Sequence, residues 1–234
     1  MEHIKIENLT YAFKENRFKL NKINLVINKG EFILFAGKNG SGKTTLLRHI
    51  NGLIIPDKGD VYISGISVKK NRKKARKLAG MIFQDADAQI VGETVYEDVA
   101  FGPENLKIKR KDINQRVKEA LKAVGLTEFE HKTSYNLSGG EKRRLAIAGI
   151  LAMKPEIIIF DEPFSNLDYD GILQIIEQIK FLIKEKKTIL MATHDLEKVV
   201  RYADKAVIMD NGKITAFGTP SEISEKLTQF GLVI

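Results

Sequence analysis

Apolar and polar residues alternate along the first part of the chain. The segments HIKIENLTYAF and KINLVI show the period of strands that bury one face. EFILFAG is continuously apolar instead and ends in glycine, which is typical of a strand buried on both faces. We therefore expect a half-buried β subdomain at the N-terminus, followed by a central strand of a larger sheet.

The pattern becomes helical between about residues 89 and 153. The segment KDINQRVKEALKAVGL predicts a helix that ends at Gly125 and has one apolar face, formed by Ile113, Val117, Ala120, Leu121 and Val124. GGEKRRLAIAGILAM predicts a second helix, which ends before Pro155. These helices interrupt the strand pattern, so we expect an inserted α-helical subdomain.

Strands and helices alternate through the last third of the chain. EIIIFDEP, TILMAT and KAVIMD predict strands, whereas GILQIIEQIKFLIKEK and LEKVVRYA predict helices. Such alternation is typical of parallel strands covered by helices. We predict an α/β fold with a mostly parallel sheet, an N-terminal antiparallel β subdomain and the helical insertion. Residues 1–234 would form one domain, with 1–88 and 154–234 as the core and about 89–153 as the helical subdomain.

A glycine-rich loop joins EFILFAG to the next predicted helix, TTLLRHINGL. Its sequence GKNGSGKT has the P-loop spacing G-x-x-x-x-G-K-[ST] in the strand–loop–helix context which that motif requires. Glycines let backbone N–H groups surround a phosphate, Lys43 can reach the outer phosphates, and the Thr44 hydroxyl can bind Mg²⁺. We therefore expect a P-loop core whose nucleotide-binding residues are Gly37, Lys38, Asn39, Gly40, Ser41, Gly42, Lys43, Thr44 and Thr45.

Polar side chains follow three other predicted strands. Asp161 ends the buried strand of IIIFDEP, where a carboxylate suits the coordination of a metal. Glu162 comes next, and because the chain turns at Pro163 it can also face the nucleotide as a general base for water. Gln84 and His194 end strands at the edge where α/β sheets bind ligands. The predicted catalytic residues are thus Glu162, His194 and Gln84, and the predicted metal ligands are Thr44, Gln84 and Asp161.

The segment NLSGGEKRR predicts a second phosphate-binding helix start. Ser138 is a good N-cap, and Glu141 three residues later completes a capping box. The two glycines between them allow an anion to approach the exposed N–H groups closely. A chain with one P-loop does not by itself need a second such site.

Composition and charge narrow the class of protein. The hydrophobic fraction of 43% suffices for a large core, and the absence of cysteine excludes disulfides and thiolate metal sites. The net charge is +8, but the run KKNRKKARK, residues 69–77, carries seven positive charges, so the remainder sums to +1. We expect no nucleic-acid partner; the run is either a solvated surface or a contact for anionic lipid or an acidic partner.

Neither a secretion signal nor a membrane span is evident. MEHIKIENLT lacks the basic-then-apolar pattern of a signal peptide, and no stretch approaches the roughly 18 apolar residues of a spanning helix. We expect a soluble, cytoplasmic protein whose membrane role, if it has one, comes through a partner.

The order of these motifs resembles that of ATP-binding cassette (ABC) ATPases. GKNGSGKT corresponds to Walker A, Gln84 to the Q-loop, LSGGE to the signature, IIIFDEP to Walker B, SNLD to the D-loop and His194 to the switch histidine. The resemblance implies that two cassettes dimerise head to tail, with each ATP between the P-loop of one chain and the signature helix of the other. It implies further nucleotide contacts from Leu137, Ser138, Gly139, Gly140, Glu141 and Asp168. An aromatic ring near TYAF would stack on adenine, Phe13 by register or Tyr11 as the alternative.

The segment FQDADAQIVGETVYEDVAFGPENL resembles, more narrowly, the ATPases of energy-coupling factor importers of vitamins and transition-metal ions. There the Q-loop is followed by an acidic stretch and a second glutamine, here Asp87 and Gln89. This resemblance implies an ATP- and Mg²⁺-dependent motor subunit at the cytoplasmic face of the cell membrane. Its implied partners are a second ABC ATPase chain, identical or paralogous, an integral membrane coupling subunit and a substrate-binding membrane subunit.

The alternative is a soluble ABC ATPase that acts on macromolecules in iron–sulfur assembly, repair or translation. Translation-type members carry two cassettes in one chain, and repair-type members carry a long coiled coil between the Walker motifs. This sequence has one cassette and no sustained heptads between Thr45 and Asp161. These features favour the importer, but they leave its cargo open.

Overall fold

The computed structural model describes residues 1–12, 19–165 and 167–228, which form two β-sheets and seven α-helices. The strands are β1 (Glu2–Ala12), β2 (Lys19–Asn28), β3 (Phe32–Ala36), β4 (Lys58–Ile63), β5 (Ile66–Ser67), β6 (Ala79–Ile82), β7 (Ile157–Asp161), β8 (Thr188–Ala192), β9 (Lys205–Asp210) and β10 (Lys213–Gly218). The helices are α1 (Lys43–Asn51), α2 (Arg72–Leu78), α3 (Val95–Asn105), α4 (Arg110–Ala123), α5 (Gly139–Ala152), α6 (Tyr169–Lys184) and α7 (Ser224–Thr228).

The N-terminal sheet is antiparallel, as the alternating pattern predicts. Its strand order is β2-β1-β4-β5. Ile4, Ile6 and Leu9 of β1 are buried, and they pack in one hydrophobic cluster with Ile33 of β3 and Leu46 of α1. The half-polar sheet thus covers one face of the P-loop strand and its helix.

The second sheet has six strands in the order β10-β9-β3-β8-β7-β6. Strands β9, β3, β8, β7 and β6 run parallel, and only the edge strand β10 is antiparallel. Every residue of β3, β7 and β8 is buried. Layers of side chains on both faces explain the continuous apolar runs of these strands. The predicted α/β class with a mostly parallel sheet is confirmed.

Helices α3, α4 and α5 lie between β6 and β7 in the chain. The predicted apolar face of α4 is buried, with Ile113, Val117, Ala120 and Leu121 inside the larger hydrophobic cluster. Ile150 of α5 lies close to β6, where a Cβ on Gly80 would come within 2.5 Å of its Cγ2. The expected helical insertion is therefore present and packs tightly on the edge strand β6.

One predicted helix is wrong. The segment LEKVVRYA forms two separate 3₁₀ turns, Leu196–Lys198 and Val200–Tyr202. Val199 between them is fully buried and has φ −131°, outside the helical region. A buried β-branched residue in that conformation interrupts the helix, because tertiary packing outweighs local propensity.

No helix among the described residues combines the length and apolar character that crossing a bilayer requires.

The basic run, residues 69–77, overlaps most of α2, and both of its arginines have structural contacts. Arg72 donates from Nε to the Gly52 carbonyl and from Nη2 to that of Leu53, both at 3.1 Å. Arg76 donates to the same Gly52 oxygen at 3.1 Å. These carbonyls follow the C-terminus of α1, where acceptors lack helical partners and the dipole favours cations. The run is therefore not uniformly solvated.

We predict that replacing Arg72 and Arg76 with Gln lowers the free energy of unfolding by about 1–2 kcal/mol, because three carbonyl contacts of modest strength are lost. The melting temperature should fall by about 2–8 °C for a chain of this size. Thermal denaturation followed by circular dichroism measures the change. The matched control changes Lys73 and Lys74, which are exposed on the same helix, to Gln. An equal loss in both double variants would contradict the role of the arginines.

Candidate nucleotide site

A cavity of about 570 Å³ lies where β3, β6, β7 and β8 end. Its lining unites residues predicted separately from four parts of the sequence. The residues that line it are Asn39, Gly40, Gly42, Lys43, Thr44, Thr45, Gln84, Glu162 and His194. The remaining predicted loop residues Gly37, Lys38 and Ser41 lie in the same P-loop but not in this lining, and the Ser41 side chain is buried.

The P-loop conformation depends on glycine at two positions. Gly37 packs so closely on β9 that a Cβ would lie 2.3 Å from the Met209 carbonyl oxygen. Gly42 is the N-cap of α1 with φ 111°, a region that other residues rarely adopt. Because Gly42 has no side chain to cap the helix, the N–H groups of the first turn stay available for an anion.

Lys43 is nearly buried beside this loop. Its ammonium donates to the carbonyl oxygens of Gly37 at 2.7 Å and Lys38 at 3.3 Å. Burial lowers the pKa of Lys43, and the nearby carboxylates of Glu162 and Asp161 partly offset that effect. The Lys43 ammonium thus donates to neutral carbonyl oxygens. Phosphate oxygens can replace these acceptors, because bonds between two charged groups are stronger.

Thr44 and Asp161 form the polar contact between α1 and β7. The Thr44 hydroxyl donates to Asp161 Oδ1 at 2.7 Å. Asp161 is almost fully buried, and burial raises its pKa while the Thr44 bond and the Arg48 charge act in the opposite direction. A hydroxyl oxygen beside a carboxylate is a donor set that suits Mg²⁺, which usually takes one or two protein ligands besides substrate phosphates. These side chains therefore fit the predicted metal.

Glu162 reaches the cavity because its backbone is left-handed, with φ 50°. Adjacent strand residues normally point to opposite faces, but this turn directs Glu162 toward His194 while Asp161 faces Thr44. Glu162 Oε2 accepts from the His194 backbone N–H at 3.2 Å, and it lies 2.9 Å from the imidazole Nδ1. The Glu162 side chain is 11% exposed and the His194 side chain 66% exposed, so the contact joins a nearly buried carboxylate to an imidazole at the surface.

The signature residues form a second site, separate from the first. The predicted capping box is present: the Ser138 N–H donates to Glu141 Oε2 at 2.7 Å, and the Glu141 N–H donates to Ser138 Oγ at 3.3 Å. The bond from the Ser138 N–H lowers the pKa of the Glu141 carboxylate. A cavity of about 310 Å³ lies at this helix start, lined in part by Ser138, Gly139, Gly140, Glu141 and Asp168. Among the described residues, that lining includes none of the P-loop.

Of three further predicted contacts, Asp168 lines the second cavity, whereas Leu137 and Tyr11 line neither cavity. Leu137 is buried in the hydrophobic core beneath the signature helix start. Asp168 is the N-cap of α6 and accepts from the Gly171 N–H at 2.9 Å. Tyr11 packs edge-on against His49 with ring centroids 4.8 Å apart. Phe13 lies outside the described residues, so the choice between the two rings stays a prediction.

Sequence reasoning missed Arg143, which is 3% exposed. Its guanidinium donates to the carbonyl oxygens of Phe83 and Gln84. A signal was available, because Arg143, Ile147 and Ile150 share one face of α5 at helical spacing, and both isoleucines are buried. A charged residue on that apolar face requires specific acceptors.

The fold and this site together define a P-loop nucleoside triphosphatase, in which a glycine-rich anion loop, a hydroxyl–carboxylate pair and a carboxylate bonded to the His194 N–H meet at one sheet edge. Comparison with known proteins narrows the class. The ABC transporter family profile matches residues 20–165. The chain belongs to this family and is an ABC-type ATP hydrolase.

Two curated relatives are named as ATP-binding proteins of energy-coupling factor transporters. The energy-coupling factor transporter ATP-binding protein EcfA of Methanocaldococcus jannaschii is 45% identical over 223 residues, which cover 94% of this chain and 80% of that protein. EcfA1 of Clostridium novyi is 48% identical over 227 residues, with coverage of 94% and 81%. Both similarities extend over nearly the whole chain, and they confirm the resemblance to energy-coupling factor ATPases that residues 83–106 indicate.

Solved structures give the same fold. CbiO1 from Clostridium perfringens, part of the ABC transporter complex cbiONQ, superposes with a TM-score of 0.86 at 35% identity, covering 97% of this chain and 92% of that one. The ATP-binding cassette MJ0796, in a dimeric post-hydrolysis state with ADP and Pi, gives 0.82 at 30% identity, with 92% and 98% covered. The predicted ABC fold is therefore confirmed.

We predict that Thr44→Val selectively weakens Mg²⁺-dependent ATP binding. Valine keeps the shape of threonine but cannot donate to Asp161 or offer an oxygen to the metal, whereas the P-loop N–H groups and Lys43 are unchanged. Titration of a fluorescent ATP analogue with Mg²⁺ and with EDTA separates the two contributions. Thr44→Ser, which keeps the hydroxyl, should retain the Mg²⁺ effect. Equal weakening by Val under both conditions would refute the assignment.

Proposed function

We propose that this chain is the ATP-hydrolysing motor subunit of an energy-coupling factor importer for a vitamin or a transition-metal ion. It works as a head-to-tail dimer, peripheral on the cytoplasmic face of the cell membrane. The observation that carries the proposal is the division of the phosphate-binding groups between two cavities, one at the P-loop and one at the start of α5. The EcfA relatives support an importer over a soluble ATPase that acts on macromolecules.

The divided site favours a two-fold dimer. In such an interface each chain offers both surfaces, so the P-loop cavity of one chain meets the α5 start of the other, twice. The solved cassette MJ0796, which is similar to this chain, is dimeric with ADP and Pi. Because both half-sites keep their predicted residues, two identical chains suffice chemically, and a paralogous partner would use the same surfaces.

In the proposed reaction, Lys43 and the P-loop N–H groups hold the outer phosphates of ATP. Thr44, Asp161 and Gln84 would hold Mg²⁺, which when bound would neutralise charge on the transferred phosphoryl group. Glu162 accepts the proton of the attacking water, and His194 keeps that carboxylate oriented toward it. Ser138 and the free N–H groups of α5, from the other chain, donate to the γ-phosphate. Asp168 lies beside that second set of donors.

The proposed docking surface for the membrane coupling subunit is a groove of about 820 Å³. It lies between α2, the loop after β6, and the helices α3 and α5, on residues separate from the P-loop lining. Phe101 and Val91 line it and are 51% and 55% exposed, so two large apolar side chains are accessible within one groove. The substrate-binding membrane subunit would join through the coupling subunit. CbiO1, which is similar to this chain, is part of a transporter complex.

We predict that Glu162→Gln binds ATP but loses about 10²–10⁴-fold in turnover, the usual contribution of a general base. The amide also removes a negative charge beside the γ-phosphate, so the ATP-bound dimer should accumulate. Size-exclusion chromatography with ATP and Mg²⁺ measures that dimer. A variant that hydrolyses ATP normally, or that stays monomeric with ATP, would sink the proposal.

A capping residue elsewhere supplies the control for the signature serine. In the Glu162→Gln chain, Ser138→Ala should abolish the ATP-dependent dimer, because the donor from the other chain is lost. Thr94 is the N-cap of α3 and forms the same capping box with Glu97. Thr94→Ala should cost a similar 0.5–2 kcal/mol in stability but leave the dimer intact. Loss of the dimer in both variants would indicate instability rather than a composite site.

We predict that Phe101→Glu abolishes co-purification with an energy-coupling factor membrane subunit and leaves ATP binding unchanged. A charge in the apolar part of the groove opposes burial of a partner helix. The control is Phe181→Glu, which alters a similarly exposed phenylalanine on α6 outside the groove. Retention of the membrane subunit by the Phe101 variant would place the docking surface elsewhere.

A further inference from the structure

Arg143 is a buried cation that belongs to neither cavity of the nucleotide site. It lies on α5, five residues after Ser138, or about 7.5 Å along the helix axis. Burial lowers its pKa, and the carboxylates of Asp85 and Asp161 partly restore it. Arginine stays charged in such surroundings, so its position must be explained by the acceptors it binds.

Those acceptors are two consecutive carbonyls at the start of the Q-loop, the segment of residues 83–92 after β6. Nη1 donates to Phe83 O at 2.5 Å and Nη2 donates to Gln84 O at 2.6 Å. The planar fork of guanidinium suits two adjacent oxygens better than a single ammonium does. The contact therefore fixes the peptide that carries Gln84, whose side chain lines the P-loop cavity.

Gln89, which is itself part of the Q-loop, bonds to the backbone at the end of β6 and the start of the loop. Its Oε1 accepts from the Phe83 N–H at 3.0 Å, and its Nε2 donates to the Met81 carbonyl at 3.2 Å. The Gln89 side chain thus pairs with one backbone N–H and one backbone carbonyl near the end of β6. Only Arg143 ties these bonds to α5 through a buried side chain, as far as the described hydrogen bonds extend.

A second link between the Q-loop and α5 is weaker. Lys142 pairs with Asp87, but the Asp87 side chain is 67% exposed. Exposed ion pairs contribute little because water and salt screen them. Arg143 is 3% exposed and its guanidinium donates to two acceptors, so water and salt screen this contact less than the Lys142–Asp87 pair.

We propose that Arg143 is a positioning residue, which holds the start of the Q-loop on the signature helix so that Gln84 is presented to the nucleotide. Through this contact the donor set that serves the other chain's ATP and the glutamine that serves its own ATP move as one unit. The proposal rests on the proposed function, because it takes Gln84 as a catalytic group.

A double-mutant cycle in ATP turnover tests the proposal on the purified full chain. Arg143→Met keeps the length of the side chain but removes every donor, and Gln84→Ala removes the group that Arg143 is said to position. We expect Arg143→Met alone to lower kcat about 10- to 100-fold, since a displacement of about 1 Å has effects of that order. The KM for Mg-ATP should stay within about twofold, because the P-loop contacts are intact.

The diagnostic result is non-additivity. In the Gln84→Ala chain, adding Arg143→Met should lower kcat by less than about twofold, because residues that act as a unit do not add. Arg143→Lys should recover part of the activity by donating to one carbonyl. If Arg143→Met does not fold, as a melting curve would show, Arg143→Lys takes its place in the cycle under the same criterion.

The matched control is Arg116→Met on α4. Arg116 also donates to a backbone carbonyl, that of Ala152 at 3.3 Å, but it lies outside the Q-loop. This variant should keep kcat. Multiplicative losses in the Arg143–Gln84 cycle, or an equal loss in the Arg116 variant, would overturn the positioning role alone. Normal turnover of Gln84→Ala would overturn both the positioning role and the proposed catalytic role of Gln84.

Discussion

The parallel pairing of β6, β7, β8 and β3 is the constraint on which the nucleotide site depends. Each strand ends at the same edge of the sheet, with Ile82 opposite Phe160 and Asp161 opposite Ala192. The P-loop, Gln84, Glu162 and His194 follow within two residues of a strand end, so in-register pairing brings them to one cavity. A slip of one residue would turn every side chain to the opposite face. The buried apolar side chains on both faces oppose such a slip.

Two adjacent carboxylates at a buried strand end would repel each other if both faced the same space. The left-handed backbone at Glu162 turns its side chain toward His194 rather than toward Thr44, so each carboxylate has its own donors. Burial still raises the pKa of Asp161, and the charge of Glu162 contributes to that rise. Asp161 accepts from the Thr44 hydroxyl, and Glu162 accepts from the backbone N–H of His194. The left-handed conformation costs about 1–3 kcal/mol, and it gives the two carboxylates the different surroundings that their proposed roles, metal binding for Asp161 and proton transfer for Glu162, require. The same peptide still donates to the Ala192 carbonyl, which continues the ladder.

Most of the features predicted correctly from the sequence came from local patterns. The P-loop spacing, the continuous run of β3, the apolar face of α4 and the capping box at Ser138 each depend on residues close in sequence. The contacts that sequence could not supply join distant segments through backbone carbonyls, which have no spacing rule. Arg72 binds the end of α1, and Arg143 binds the Q-loop 59 or 60 residues away. The turns around Val199 escaped prediction for a related reason, since its burial in the core decides their backbone. The division of the site into two cavities likewise depends on the tertiary position of α5.

In the proposed dimer, the groups that bind one ATP belong to two surfaces, so a movement of one surface has to be transmitted to the other. The P-loop is anchored on the central sheet, where Gly37 packs directly on β9. The signature donors lie on α5, which belongs to the helical insertion and contacts the sheet at its edge strand β6. A helix is stiff over the turns between Ser138 and Arg143, so displacement of its start reaches the arginine undiminished. Arg143 is in turn bonded to the backbone that follows β6. In the dimer that we propose, a partner that displaces the signature helix would therefore act on the strand end that carries Gln84 through the two Arg143 bonds.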